Sequence, residues 1–142
     1  MIRLSELIGQ QGIALGTAAT TGSVKGVAID RDRIVGVQVG DELIASGAVR
    51  SFEGDVLTYD ETAAGFSGAA SASDPRGKRV LDMDGDEHGN IADLVIDAEG
   101  RIDTVVLDNG DTVAGSRLRV IGSYAAILAD TLPPPTGQPV EV

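Results

Sequence analysis

An internal repeat constrains this chain most, because two copies of one short unit must each bury a face, and related units usually bury it against one another. Gly22-Ser23-Val24-Lys25-Gly26-Val27-Ala28-Ile29-Asp30 lies over Gly89-Asn90-Ile91-Ala92-Asp93-Leu94-Val95-Ile96-Asp97. A one-residue step at Gly100 brings Arg33-Ile34 over Arg101-Ile102, and a second at Gly110 brings Ala45 to Arg50 over Ala114 to Arg119. Gly22, Ile29, Asp30, Arg33, Ile34, Val37, Ala45 and Arg50 have identical counterparts. Both insertions fall at turn glycines, where added residues cost little.

Each copy reads as β structure. Val24 to Ile29 and Ile34 to Val39 are β-branched runs joined by the charged turn Asp30-Arg31-Asp32-Arg33, the pattern of an antiparallel hairpin. Ile91 to Ile96 and Ile102 to Leu107 repeat it around Asp97-Ala98-Glu99-Gly100. Val35, Val37 and Val39 share a face at period two, with Asp103 breaking that face in the second copy at an expected barrel rim. Shorter strands are expected at Ile13 to Leu15, Leu43 to Ala45 and Val56 to Tyr59, and at Val80 to Asp82, Thr112 to Ala114 and Ala125 to Leu128. Ser46 to Arg50 suits one helical turn with Ser46 as its cap. Five or six short strands per copy predict a small, nearly closed barrel.

The boundaries follow from texture. Residues 1–60 form module one, the small-residue stretch 61–74 a linker with Phe66 as its one anchor, 75–130 module two, and the proline-rich 131–142 an extended, poorly ordered tail. There are 19 glycines, and only 3 % of residues are aromatic, so the core must be aliphatic and no stacking platform for single-stranded nucleic acid is present. A net charge of −11 repels phosphate backbones and anionic membrane surfaces alike. Cysteine is absent, removing disulfides and thiolate chemistry together. Neither a secretory signal nor an apolar run of membrane-spanning length occurs, so a cytoplasmic protein without membrane insertion is expected.

Candidate chemistry concentrates in Asp82-Met83-Asp84-Gly85-Asp86-Glu87-His88. Asp82, Asp84, Asp86 and Asp93 stand at positions one, three, five and twelve of a calcium-loop count. Glu87 occupies the place of the glycine that the sharp turn of such a loop requires, and the flanks read as strands, which favours an acidic hairpin loop over an ion site. The aligned loop Gly16 to Thr21 has no acid. His88 is the only histidine, so neither a zinc pair nor a triad can be assembled around a second one. Gly65-Phe66-Ser67-Gly68 misses the spacing of a serine nucleophile, and Gly77-Lys78 lacks the upstream glycine of a phosphate loop. The paired charges Arg50/Arg119 and Asp30/Asp97 favour structural ion pairing, and Arg76, Lys78 and Arg79 form one basic cluster suited to offset the acidic loop.

Gly22-x-Val24-x-Gly26-Val27-x-Ile29-Asp30 followed by Arg33-Ile34, then Ala45-Ser46-Gly47-Ala48-Val49-Arg50-Ser51-Phe52, resembles the PRC-barrel family. Gly85 to Asp97 with Gly100-Arg101-Ile102 resembles it more closely, and Leu4-Ser5-Glu6-Leu7-Ile8-Gly9 looks like the usual start of the first copy. The resemblance implies a small β-barrel whose relatives, the cytoplasmic part of the photosynthetic reaction centre H subunit and the C-terminal part of ribosome maturation proteins among them, mostly bind proteins or RNA–protein assemblies. The first copy departs from the pattern by lacking the turn glycine matched by Gly100.

The expectation is an all-β protein of two tandem PRC-barrel-like modules, each with one short helical turn, acting as a non-enzymatic interaction or adaptor protein in a bacterial-type cytoplasm. It calls for protein partners and no cofactor, argues against nucleic acid, and leaves self-association open. Asp82, Asp84, Asp86, Glu87 and His88 form the candidate interaction loop. The alternative is a small-ligand or calcium-binding protein using Asp82, Asp84 and Asp86.

Overall fold

The computed structural model describes residues 1–60, 72–122 and 124–129 of the 142, and the fold is all-β. The first half runs β2 (Gln11–Ala14), β3 (Ala19–Asp30), β4 (Arg33–Val39), β5 (Glu42–Ala45), β6 (Val49–Ser51) and β7 (Leu57–Tyr59). The second runs β8 (Arg79–Leu81), β9 (Glu87–Ile96), β10 (Ile102–Leu107), β11 (Thr112–Ala114), β12 (Leu118–Ile121) and β13 (Ala125–Leu128). The sheets have the orders β5-β4-β3-β2-β7-β6 and β11-β10-β9-β8-β13-β12, which are the same order shifted by six strands. In each, the last strand returns parallel to the first, β7 on β2 and β13 on β8.

Equivalent positions make equivalent contacts. The Gly9 amide donates to Val24 O at 2.8 Å, and the Gly77 amide donates to Ile91 O at 2.7 Å. Side chains agree even where chemistry has changed: Gln10 Nε2 donates to Gly54 O at 2.9 Å, while Lys78 Nζ donates to Gly122 O at 2.5 Å.

The short strand β1 (Ile2–Arg3) and helix α1 (Leu4–Leu7) open the chain, yet β1 pairs antiparallel with β9 in the second sheet. Reciprocally, Ser73 bridges Val27 in β3, with N–O distances of 2.9 and 3.0 Å. Each half therefore seats its lead-in segment on the other half's longest hairpin. The hairpin turns also meet, Ile34 N donating to Gly100 O at 2.8 Å and Ile102 N to Asp32 O at 2.7 Å. Phe52, 2 % exposed, lies over the second turn, where a Cβ on Gly100 would stand 2.8 Å from its Cε2. The buried apolar side chains of both halves, from Leu4 and Ile34 to Ile96 and Leu128, consequently form one contiguous core. Burying the two sheets against each other adds apolar area that neither has alone.

Several expectations need adjusting. β3 begins at Ala19 and β9 at Glu87, because both hairpins extend past the apolar run into polar residues held by ladder bonds with β2 and β8. The helical turn expected over 46–50 is a 3-10 turn at Ser46–Ala48 with Ala45 in the cap position and no side-chain cap, since Val49 already pairs with Tyr59. Strands β6 and β12 lay hidden in the stretches assigned to that turn and its counterpart. Val35 is half-buried, whereas Ile34 is buried in the core. Of the linker placed at 61–74, Ser73 carries the bridge to β3, while 61–71 with Phe66, and the tail at 131–142, lie outside the described residues.

Candidate functional site

The loop between β8 and β9 is built around one inward-facing carboxylate. Asp82 is 2 % exposed. Its Oδ1 accepts from the amides of Asp84 at 2.9 Å and Asp86 at 3.0 Å, and its Oδ2 lies 2.8 Å from His88 Nε2. Asp82 N donates to Asp86 O at 3.0 Å, closing the loop, and Gly85 takes the positive φ of 85° that the reversal needs. The His88 ring, helped by the two amides, holds the Asp82 carboxyl below its ordinary value although burial opposes this.

This arrangement divides the candidate residues by role. Asp82 and half-buried His88 shape the loop, and both oxygens of Asp82 are already engaged by its own turn. Asp84, Asp86 and Glu87 are exposed, with Met83 beside them at 55 % exposure. Among the described residues no three His, Asp or Glu side chains converge in a way that could hold a metal ion.

The structure adds acids that sequence spacing did not bring together. The β10–β11 turn lies against the loop: Asp108 Oδ1 accepts from Asn90 N at 3.1 Å, and Asn109 Nδ2 donates to His88 O at 3.4 Å. Asp108 and Asp111, both exposed, thus extend the acidic end beyond the 82–88 loop. The signal lay in the hairpin register, since Leu107 pairs with Ile91 and so carries the next turn to the start of β9.

The basic cluster only partly offsets these acids. Arg76 pairs with Asp74 at 2.6 Å, which holds the Asp74 carboxyl below its usual range. Arg79 alone reaches the loop, 3.6 Å from Glu87, while donating to Tyr124 Oη at 2.7 Å and lying 5.6 Å over its ring. Arg50 and Arg119 are exposed and make no ion pair among the described residues, contrary to the structural pairing expected of them. Asp97 anchors its own turn by accepting from the amides of Glu99 at 3.0 Å and Arg101 at 2.9 Å.

Residues 68–127 match the PRC-barrel domain family, which is less than half of the chain and takes in β8 to β12 together with the acidic loop. That single match leaves the first half outside it. No curated protein matches the chain. No helix among the described residues is long and apolar enough to cross a membrane.

Proposed function

We propose that this protein is a non-enzymatic interaction protein of two tandem PRC-barrel-like halves, which presents the acidic end of its second half to a basic protein partner in the cytoplasm. The observation that carries the reading is the clamp of Asp82 by His88 and two turn amides, which preorganises Asp84, Asp86 and Glu87 as exposed charges on a rigid hairpin end. Preorganisation lowers the ordering cost of association, and clustered charge of one sign speeds encounter with an oppositely charged surface. The common strand order of the two sheets supports treating residues 1–60 as a second, diverged barrel of the same kind.

The test is capture of partners by the tagged full chain from lysate at low salt, with the proteins identified by mass spectrometry, followed by Asp86→Lys, Glu87→Lys and Asp111→Lys together. Those positions are exposed, so the melting curve should stay near that of the parent. Capture should fall at low salt, and the difference between parent and variant should vanish at about 1 M salt, where the Debye length is about 3 Å. Capture indifferent to both salt and charge reversal would remove the acidic end from the mechanism. Saturable turnover lost with His88→Ala would replace the reading with an enzyme.

A further inference from the structure

Building on that proposed function, we infer that an aliphatic stripe on the outer face of the second sheet takes apolar side chains of the basic partner, so that the bound segment carries aliphatic residues beside its lysines and arginines. Val120 in β12 pairs with Ile127 in β13, Ile127 with Leu81 in β8, and Leu81 with Glu87 in β9. Residues facing one another across a ladder share a face, so these form one row across neighbouring strands, about 14 Å long at about 4.8 Å per step. The face is the outer one. Val80, Ala126 and Leu128, which alternate with the row, are fully buried, whereas Val120 is 47 % exposed and Leu81 and Ile127 are half-buried.

The fold does not require an apolar row here. The same row of the first sheet runs Ser51, Thr58, Ile13, Thr20, three hydroxyls and one aliphatic side chain in the corresponding strand order. Strand propensity does not account for the difference either, because exposed apolar side chains continue where the strands stop. Met83, 55 % exposed, stands two residues beyond Leu81 in the acidic loop, and Tyr124, 69 % exposed, stands just before β13 with Arg79 over its ring. Exposed apolar surface rimmed by charge marks a contact surface.

Charge selects the occupant. The row ends on Glu87, and Asp84, Asp86, Asp108 and Asp111 are exposed at the same end. Against these five stand Arg79, which already pairs with Glu87 and Tyr124, Lys78, seated on Gly122 O, and Arg119, which precedes Val120 at the opposite edge of the row. A second copy of the chain, with a net charge of −11 of its own, would bring like charge to this end, and so would a nucleic acid. A cationic segment with aliphatic side chains meets both the stripe and the acids that continue it.

The experiment is an NMR titration of the full chain near neutral pH with two end-blocked peptides of equal length and charge, one alternating Lys and Val, the other alternating Lys and Ser. The Lys-Val peptide should bind at least about fourfold more tightly, the effect of about one buried methylene, and should shift the methyl signals of Leu81, Val120 and Ile127. Val120→Ser and Ile127→Thr, which copy the residues of the first sheet, should each reduce that preference without weakening the Lys-Ser peptide. Asp86→Lys, Glu87→Lys and Asp111→Lys together should weaken both peptides. Equal binding of the two peptides, weakened by the charge reversal, would overturn the stripe and leave the acidic end standing, whereas no binding of either would overturn both. Lys-Val binding indifferent to the charge reversal would overturn the cationic occupant, and self-association of the parent chain lost in Val120→Ser would overturn it in favour of a second copy.

Discussion

Gly100→Ala tests how the two halves are joined, because its cost has two separable parts. The first is conformational: Gly100 has a φ of 87°, and a side chain in that region costs about 1–2 kcal/mol. The second is steric, since the added Cβ would meet Phe52 Cε2 at 2.8 Å and Cζ at 3.1 Å, too close for carbon atoms, and such overpacking costs typically about 1–3 kcal/mol. Phe52 belongs to the first half and Gly100 to the second. Replacing Phe52 by Leu deletes Cε2 and Cζ, leaving the milder 3.3 Å contact at the Cδ2 position, and costs about 1–2 kcal/mol by itself, between deletion of one methylene and of a whole aromatic side chain. Alone, Gly100→Ala should therefore destabilise by about 2–5 kcal/mol, but in the F52L background by only about 1–2 kcal/mol. The four proteins are compared by urea unfolding of the full chain, where a few kcal/mol moves the midpoint by about 1–2 M at an m-value of about 2 kcal/mol/M. An unchanged cost of Gly100→Ala in both backgrounds, with coupling below about 0.5 kcal/mol, would refute the seating of Phe52 on the second turn and the single core that depends on it.

Asp93→Ala should cost about 1–3 kcal/mol, because the buried carboxylate accepts from Ser5 N at 3.0 Å and Ser5 Oγ at 2.6 Å; Ser5→Ala should cost less once Asp93 is gone, as a double-mutant cycle in denaturant would show. Asp82 has a carboxyl held below its ordinary 3.8, so its stabilisation is complete above that value and is lost as pH falls through the lower folded value. The acid limb of a melting-temperature profile should accordingly flatten in Asp82→Asn, and an unaltered limb would show that the clamp adds nothing. Millimolar calcium should leave the melting temperature unchanged, because the Asp82 oxygens are committed to the loop's own amides and to His88; a rise of several degrees abolished by Asp84→Ala would instead support the ion-binding alternative.

Much of the fold was legible because the β-branched runs are long and alternate clearly. Ile102 to Leu107 and Ala125 to Leu128 match β10 and β13 end to end. Three elements, β1, β6 and β12, were not legible. β1 has two residues and β6 three, too few to show an alternation, and β1 is strand only because distant β9 supplies its ladder, while β6 pairs with the next strand, β7. Single-sequence periodicity carries no information about a partner as far along the chain as β9 is from β1. At the candidate site the acidic spacing was visible, but spacing alone could not separate Asp82, which turns inward, from Asp84 and Asp86, which do not. That division depends on which carboxylate the loop amides and His88 converge upon.

The two halves seat each other's lead-in segment by different means. By the alignment of the repeat, Gly26 in β3 corresponds to Asp93 in β9, and each faces the lead-in segment of the other half. At Gly26 the Ser73 backbone comes so near that an added Cβ would stand 3.0 Å from its carbonyl carbon and oxygen, so the segment is held main chain to main chain. At Asp93 the segment arrives as helix α1 instead, whose Ser5 amide and hydroxyl are bound by the carboxylate, with Arg3 3.9 Å away. A glycine and a buried acid are not exchangeable by any gradual change of side chain, since one requires space to be absent and the other requires it to be filled with donors. The two lead-in segments are therefore held by different means, backbone against backbone at Gly26 and donors against a carboxylate at Asp93.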